Sequence, residues 1–394
     1  MKGGLLLKER RYDIDWLRVI AIIAVFLLHS THFFDEGTDW HVQNKDQSVA
    51  VLIFRGLINI WVMELFFLLS GAASWFSLKS KSGGQYLLER VKRIFVPMYT
   101  VGIFVLLPPT LYFTLVTNRG FTGTFWQMYP TYLNHVISYG FNIKSPFFFG
   151  IWPGHLWFLQ FLFIMSVVLL PLLLFLRSER GHRLVSWLAG VCARPGGIFL
   201  FLIPLAGARI LFKHIFMGDK TWADLIYYAV FFLIGYVMAS DGRFTEGFKR
   251  HGWLGLGLGL LAYGGMGYFI LGAGYNYPGG EPFSLNYVIF NLVVSLGNLC
   301  WVTFMLSLGA KYLNFESRAV TYGNEAVLPF YILHEPVLLA VGWWVVPWSM
   351  GILPKFLIIS VASLIIIGGL YLGPVRNLNW VRFLFGMRPK KKKG

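Results

Sequence analysis

The strongest constraint on this chain is a series of apolar blocks, each about 20 residues long and nearly free of charge. A bilayer's hydrocarbon core demands roughly that many apolar residues of a spanning helix. The blocks fall at 16–34, 57–78, 95–117, 156–176, 197–213, 224–240, 253–272, 287–309, 326–346 and 355–373. This pattern predicts an all-α, polytopic transmembrane helical bundle of about ten helices. Hydrophobic residues make up 56% of the chain and charged residues 13%, about half the charged share of a soluble domain. No polar stretch is long enough to be a soluble domain, so residues 1–394 read as a single integral membrane domain with a basic tail at 376–394. The longest polar stretch, from Asn118 to His155, is broken by aromatics and proline and reads as a loop with an interfacial segment.

The net charge of +16 raises nucleic acid as a partner. The basic residues flank the apolar blocks, however, which is the arrangement a membrane imposes, so no nucleic-acid partner is expected. With the N-terminus inside, the cytoplasmic connections hold Lys2, Lys8, Arg10, Arg11, Lys79, Lys81, Arg90, Lys92, Arg93, Arg177, Arg180, Arg183, Arg194, Arg243, Lys249, Arg250, Lys311, Arg318 and the tail from Arg376 to Lys393. The outer connections hold only Lys45, Arg55, Arg119, Lys144, Lys213 and Lys220. This asymmetry is the positive-inside rule, and it predicts both termini in the cytoplasm and an even number of spans. The tail RPKKKKG reads as an anchor on anionic lipid.

Other features narrow the reading. Cys192 and Cys300 share no disulfide or zinc spacing. The N-terminal MKGGLLLKERRYDIDW has no small-residue cleavage site, so the first block is expected to be retained as a helix. The run GLGLGLLAYGGMG at 255–267 reads as a close-packing helix face. The fifth block is short and contains Pro204 and Arg209, which makes it the weakest span.

Ionisable groups at membrane depth are costly and mark function by default. Arg18 and His29 in the first span are eleven residues apart. At about 100° and 1.5 Å per residue, they share one stripe, roughly 16 Å apart. Asp15, one turn before Arg18, reads equally as an N-terminal cap or as a functional group at membrane depth. His29 is the candidate general base, since an imidazole can take an alcohol proton near neutral pH. His334 lies in the ninth span, beside Glu335 and one turn after Tyr331, and reads equally as a structural or a chemical group. Glu325 lies at that span's inner end. Glu64 lies within the second span, with Arg18 as a partner if the helix ends overlap. Arg90 and Arg93, followed by Pro97, share one helical face. They suit either a phosphorylated ligand or ordinary inner-face charge. Asp35, Glu36, Asp39, Trp40 and His41, then Trp126, Tyr129, Tyr132, Tyr139, Trp152, His155 and Trp157, read as an interfacial belt or as sugar-stacking groups.

Five segments together resemble the acyltransferase-3 family of bacterial membrane proteins: DWLRVIAIIAVFLLH, MELFFLLSGAASWF, RVKRIFVP, HLWFLQFLFI and YGNEAVLPFYILHEPV. The Arg18–His29 pair, Ser70 with Gly71, and the Arg90–Arg93 pair with Pro97 carry the likeness. Glu64 stands where Asp is more usual, and Asn324 and Glu325 replace a Ser-Tyr pair. The segment HSTHFFDEGTDWHV is similar to the glucan-modifying branch, whose members add succinyl groups to periplasmic glucans. The resemblance implies transfer of a succinyl or acetyl group from cytoplasmic acyl-coenzyme A to a hydroxyl of an extracytoplasmic glycan, in a multi-pass protein of the bacterial inner membrane. It implies His29, Arg18, Glu64 and His334 as catalytic residues. It also implies Arg90 and Arg93 as donor-binding residues, with Ser70, Tyr331 and Glu325 as substrate or oxyanion candidates. No tightly bound cofactor or metal is expected, and acyl-coenzyme A serves as the donor substrate. A transporter or flippase for a glycan or lipid-linked intermediate, and a haem carrier using His29 and His334, stay open at this point. The absence of visible internal repeats weighs against the transporter.

Overall fold

The structure, a computed structural model, describes residues 11–36, 40–139, 146–147, 153–272 and 280–390. Lys2, Lys8, Arg10, Asp39, Lys144, Trp152, the last lysines of the tail and the side chain of Tyr139 lie outside the described residues. The chain runs α1 (Tyr12–Thr31), α2 (Val49–Leu78), α3 (Gly83–Arg90), α4 (Leu107–Asn118), α5 (Phe125–Tyr139), α6 (Trp157–Val168), α7 (Leu170–Leu176), α8 (Glu179–Cys192), α9 (Leu202–Phe212), α10 (Trp222–Ser240), α11 (Gly242–Gly267), α12 (Leu285–Tyr312), α13 (Arg318–Val345), α14 (Ile352–Leu370) and α15 (Asn379–Leu384). Wider π-helical turns at Val91–Phe95 and Met98–Leu106 join α3 to α4. The described residues form no named strand and hold one isolated bridge, between Asp35 and Ser48. The fold is an all-α polytopic bundle.

Eight helical stretches among the described residues are long and apolar enough to cross a membrane. They correspond to every expected block except the fourth and fifth. The fourth is α6 and α7, bent by 58° across Leu169. Pro171 stands at the start of α7, where it lacks the amide hydrogen that would continue the α6 ladder. Counted as one span, this pair makes nine. The fifth block is Gly197–Phe212, a shorter apolar helix that opens with a 3-10 turn. The expected ten is reached only if both stretches cross.

α1 packs against α2, α12, α13 and α14, which places the Arg18–His29 stripe in the bundle's interior. Asp15 is not the cap the sequence suggested. The N-cap position is Arg11, and Asp15 sits inside the first helical turn. There it accepts from Arg18 at 3.3 Å and from Asn324 of α13 at 2.9 Å.

α2 and α10 cross backbone to backbone. A Cβ on Gly71 would lie 1.8 Å from the Phe232 carbonyl oxygen, and one on Gly235 would lie 1.8 Å from that of Leu68. Gly71, noted in the sequence only as a motif match, therefore sets the depth of this crossing. The glycine run of α11 packs as expected, with Gly255 and Gly259 against Cys300 and Trp301 of α12.

The polar stretch after Asn118 contains α5, an amphipathic helix with Trp126 and Ile137 exposed. Tyr129 and Tyr132 tie it to the π-helical stretch, donating to the carbonyls of Phe104 at 2.8 Å and Ile103 at 2.7 Å. Tyr132 is buried, so Tyr132→Phe leaves a carbonyl unmatched. It is expected to cost about 1 kcal/mol, read as a lower thermal unfolding midpoint in detergent.

Candidate active site

The residues singled out in the sequence fall into three places. The first is a cavity of about 960 Å³ at one end of the bundle. Its walls include Arg18, Ser70, Arg90, Arg93, Glu325 and Tyr331, so six of the nine candidates share one space. Lys81, Arg382 and Arg388 join them, and among the described residues Glu89 and Glu325 are the only acidic side chains on the wall. The cavity is strongly basic at this end. It narrows in chemistry along the helices towards Ile22, Phe66, Phe158 and Tyr331, which are apolar or aromatic.

Local bonds hold the cations in place. Arg18 donates to the Leu69 carbonyl of α2 at 3.3 Å as well as to Asp15. Arg90 donates to Ser74 Oγ at 3.0 Å, and its guanidinium lies over the Tyr86 ring at 4.7 Å. Tyr86 donates to the same Ser74 Oγ at 3.0 Å. Arg93 donates to the Gly386 carbonyl at 3.1 Å. Glu325 is paired with Arg382 at 3.0 Å.

The second place is a buried acid–base cluster beyond the aromatic end of the cavity. Its centre is Glu335 of α13, whose side chain is 2% exposed. His29 Nε2 lies 3.3 Å from Glu335 Oε2, His155 Nδ1 lies 3.6 Å from the same oxygen, and His41 Nε2 lies 3.7 Å from Oε1. His334 Nε2 lies 3.4 Å from His29 Nδ1. Tyr331 links the two places: it lines the cavity, and its hydroxyl donates to the carbonyl of His155.

Backbone carbonyls fix which ring nitrogens carry hydrogen. A carbonyl only accepts, so the nitrogen facing it must donate. His29 Nδ1 donates to Val25 at 2.8 Å, His334 Nδ1 to Tyr331 at 2.7 Å and His155 Nε2 to Ile332 at 3.2 Å. In the neutral rings, the lone-pair nitrogens are then His29 Nε2 and His155 Nδ1, and both face Glu335. A proton added to either would sit beside a buried carboxylate. The arrangement can accept one proton and hold the resulting imidazolium.

The near side of His29 is aromatic and polar. Trp40 is stacked on His32 at 4.3 Å and lies 5.9 Å from the His29 ring. His32 is held by Asp35 at 3.2 Å, and Asp35 is paired with Arg55 at 2.7 Å. Burial pushes the His32 and His41 imidazoles below their ordinary range. His41 also bonds Thr114 of α4.

The third place holds Glu64. It is buried, and its Oε1 accepts from Asn298 of α12. The expected pairing of Arg18 with Glu64 is not formed: Arg18 bonds Asp15 and the Leu69 carbonyl instead. The carboxylate beside His29 is Glu335. The sequence shows Glu335 only as the residue after His334, and His155 only as a belt or sugar-stacking group that opens HLWFLQFLFI. Their convergence depends on α13 packing against α1 and on the turn Gly154–Leu156, ahead of α6, bonding to α13.

A family profile described as an acyltransferase domain matches residues 11–372. Among curated proteins, the glucans biosynthesis protein C of Salmonella paratyphi A is 27% identical over 97% of this chain and 96% of its own length. The protein of that name from Salmonella agona has the same identity and coverage. The one from Salmonella paratyphi B is 26% identical over the same shares. No solved structure matches.

Proposed function

Because the chain belongs to the acyltransferase-3 family and is therefore a multi-pass membrane acyltransferase, we propose that it moves a succinyl or acetyl group from cytoplasmic acyl-coenzyme A to a hydroxyl of an extracytoplasmic glucan, in the bacterial inner membrane. The observation that carries this reading is that Tyr331 both lines the basic cavity and bonds the His155 carbonyl, so the cavity ends beside the Glu335 cluster. The basic end, at the cytoplasmic face by the charge asymmetry, suits the donor's phosphates. The aromatic end suits its pantetheine arm and thioester. The name shared by the curated relatives points to glucan as the acceptor.

In this mechanism His29 Nε2 removes the proton from the acceptor hydroxyl, and Glu335 stabilises the imidazolium. The hydroxyl oxygen forms a bond to the thioester carbonyl carbon. The carbon–sulfur bond breaks, and the proton on His29 passes to the departing thiolate. The products are the glucan ester and coenzyme A, so no net proton is released. Trp40, 5.9 Å from His29, offers a face for the sugar ring. Ser70 and Arg18 lie on the cavity wall, where they can orient the donor. Lipid surrounds the apolar belt of the bundle as its standing partner.

Arg90→Ala with Arg93→Ala is expected to raise the donor KM about 10- to 100-fold with a much smaller change in kcat, since charge-assisted contacts to phosphate bind substrate and transition state alike. Steady-state kinetics with varied acyl-coenzyme A checks this. The proposed reaction is tested in cells by comparing the glycans of a deletion strain with those of wild type by mass spectrometry. The mass lost names the acyl group, and the glycan that loses it names the acceptor. Unchanged periplasmic glucans would overturn the assignment of the acceptor.

A further inference from the structure

The C-terminal segment lies across the basic mouth of the cavity and is tied down there. Arg382 of α15 pairs with Glu325 at 3.0 Å, the Gly386 carbonyl accepts from Arg93 at 3.1 Å, and Arg388 pairs with Glu89 at 3.2 Å. A second groove, of about 610 Å³, opens beside the cavity and shares Lys81, Glu89, Arg93 and Arg388 with it.

Glu89 sits on the wall common to both spaces. One carboxylate holds three cations there: Lys81, Arg388 at 3.2 Å and Arg93 at 3.7 Å. Its Oε2 also accepts from Ser77 at 3.3 Å. Lys92 adds a further cation to the groove. A single negative charge therefore leaves an excess of positive charge on groups already converged on one point. A phosphate monoester, with up to two charges and three acceptor oxygens, matches that convergence better than a carboxylate does.

We propose that Lys81, Arg93 and Arg388 form a second anion subsite for the terminal 3′-phosphate of the donor's adenosine, and that Glu89 occupies it in the empty protein as an internal substitute. The inference rests on the donor reading above. When the donor enters, the phosphate replaces Glu89 on the three cations, and the C-terminal segment supplies one of them. Arg90, Arg18 and the aromatic end are left for the rest of the donor.

The test is equilibrium binding of coenzyme A and of 3′-dephospho-coenzyme A to the full-length protein in detergent. Wild type is expected to prefer coenzyme A about tenfold, which is the scale of one charge-assisted contact. Arg388→Ala is expected to lower that ratio several-fold, with Lys81 and Arg93 still in place, while leaving the affinity for the dephosphorylated form unchanged. Glu89→Gln is expected to tighten coenzyme A binding several-fold, because it removes the competitor and keeps the shape. A purely structural role for Glu89 gives the opposite sign, weaker binding of both ligands. Arg388 is on the exposed tail, so its variant remains informative even if Glu89→Gln does not fold. An unchanged ratio in Arg388→Ala would overturn this inference alone. Failure of wild type to bind either ligand would overturn the donor reading as well.

Discussion

Replacing His29 with alanine is expected to leave the protein folded and to slow acyl transfer about 10²- to 10⁴-fold, the range that a positioned general base supplies. The imidazole is the one basic group that lies on the same stripe as Arg18 and keeps a lone-pair nitrogen beside Glu335. Its loss removes the proton acceptor without breaking the α1 backbone, where Val25 keeps its helical partner. The rate is read as thiol released from acyl-coenzyme A in the presence of glucan oligosaccharide. Gel filtration and thermal unfolding of the same sample establish the fold. Transfer by His29→Ala at more than about a tenth of the wild-type rate would remove His29 from the mechanism.

Glu335→Gln is expected to be nearly as damaging, at about 10²-fold or more, although it changes only one heavy atom. Two effects combine. The imidazolium formed on His29 loses its buried counter-charge. A glutamine amide can also donate to Nε2, which occupies the lone pair that must accept the hydroxyl proton. The variant should therefore lose kcat and keep its donor KM, because the cavity wall does not include Glu335. A donor KM raised in step with a falling kcat would point to collapse of the cavity instead. Wild-type kcat in this variant would mean that His29 acts without a carboxylate.

Much of the bundle was legible because hydropathy is a local property. Eight blocks read from the sequence are eight long apolar helices in the structure. The bend in the fourth was legible only in part. Pro171 marks a weak point in the ladder, but whether a helix kinks or breaks there depends on what packs behind it. The spacing of Arg18 and His29 held because one uninterrupted helix joins them, and the helical period then fixes their common stripe. The shared face of Arg90 and Arg93 was assumed from α-helical geometry. In the structure a π-helical turn begins at Val91, yet both side chains reach the cavity.

The carboxylate at the centre of the cluster is not legible in the sequence. Glu64 stands out there because it is a lone acid in an apolar span. Glu335 sits directly after His334, where about 100° of helical rotation separates the two. No local rule says that both meet His29 of α1, Glu335 at 3.3 Å and His334 at 3.4 Å, or that His41 and His155, from distant parts of the chain, meet the same carboxylate. Such convergence is a tertiary property and has no signature in spacing. The choice between a cap and a functional group at Asp15 is undecidable from spacing for a related reason. The partner of Asp15, Asn324, is 309 residues away.

The central claim is that a donor entering the basic cavity meets an acceptor activated by His29 and Glu335, with no energy source other than the thioester. Purified protein in detergent, given acyl-coenzyme A and a glucan oligosaccharide, measures this directly by following coenzyme A thiol and oligosaccharide mass together. The account predicts one ester formed per thiol released, dependent on His29 and independent of any membrane gradient. Thiol release without an oligosaccharide ester, or ester formation that survives His29→Ala and Glu335→Gln, would contradict it.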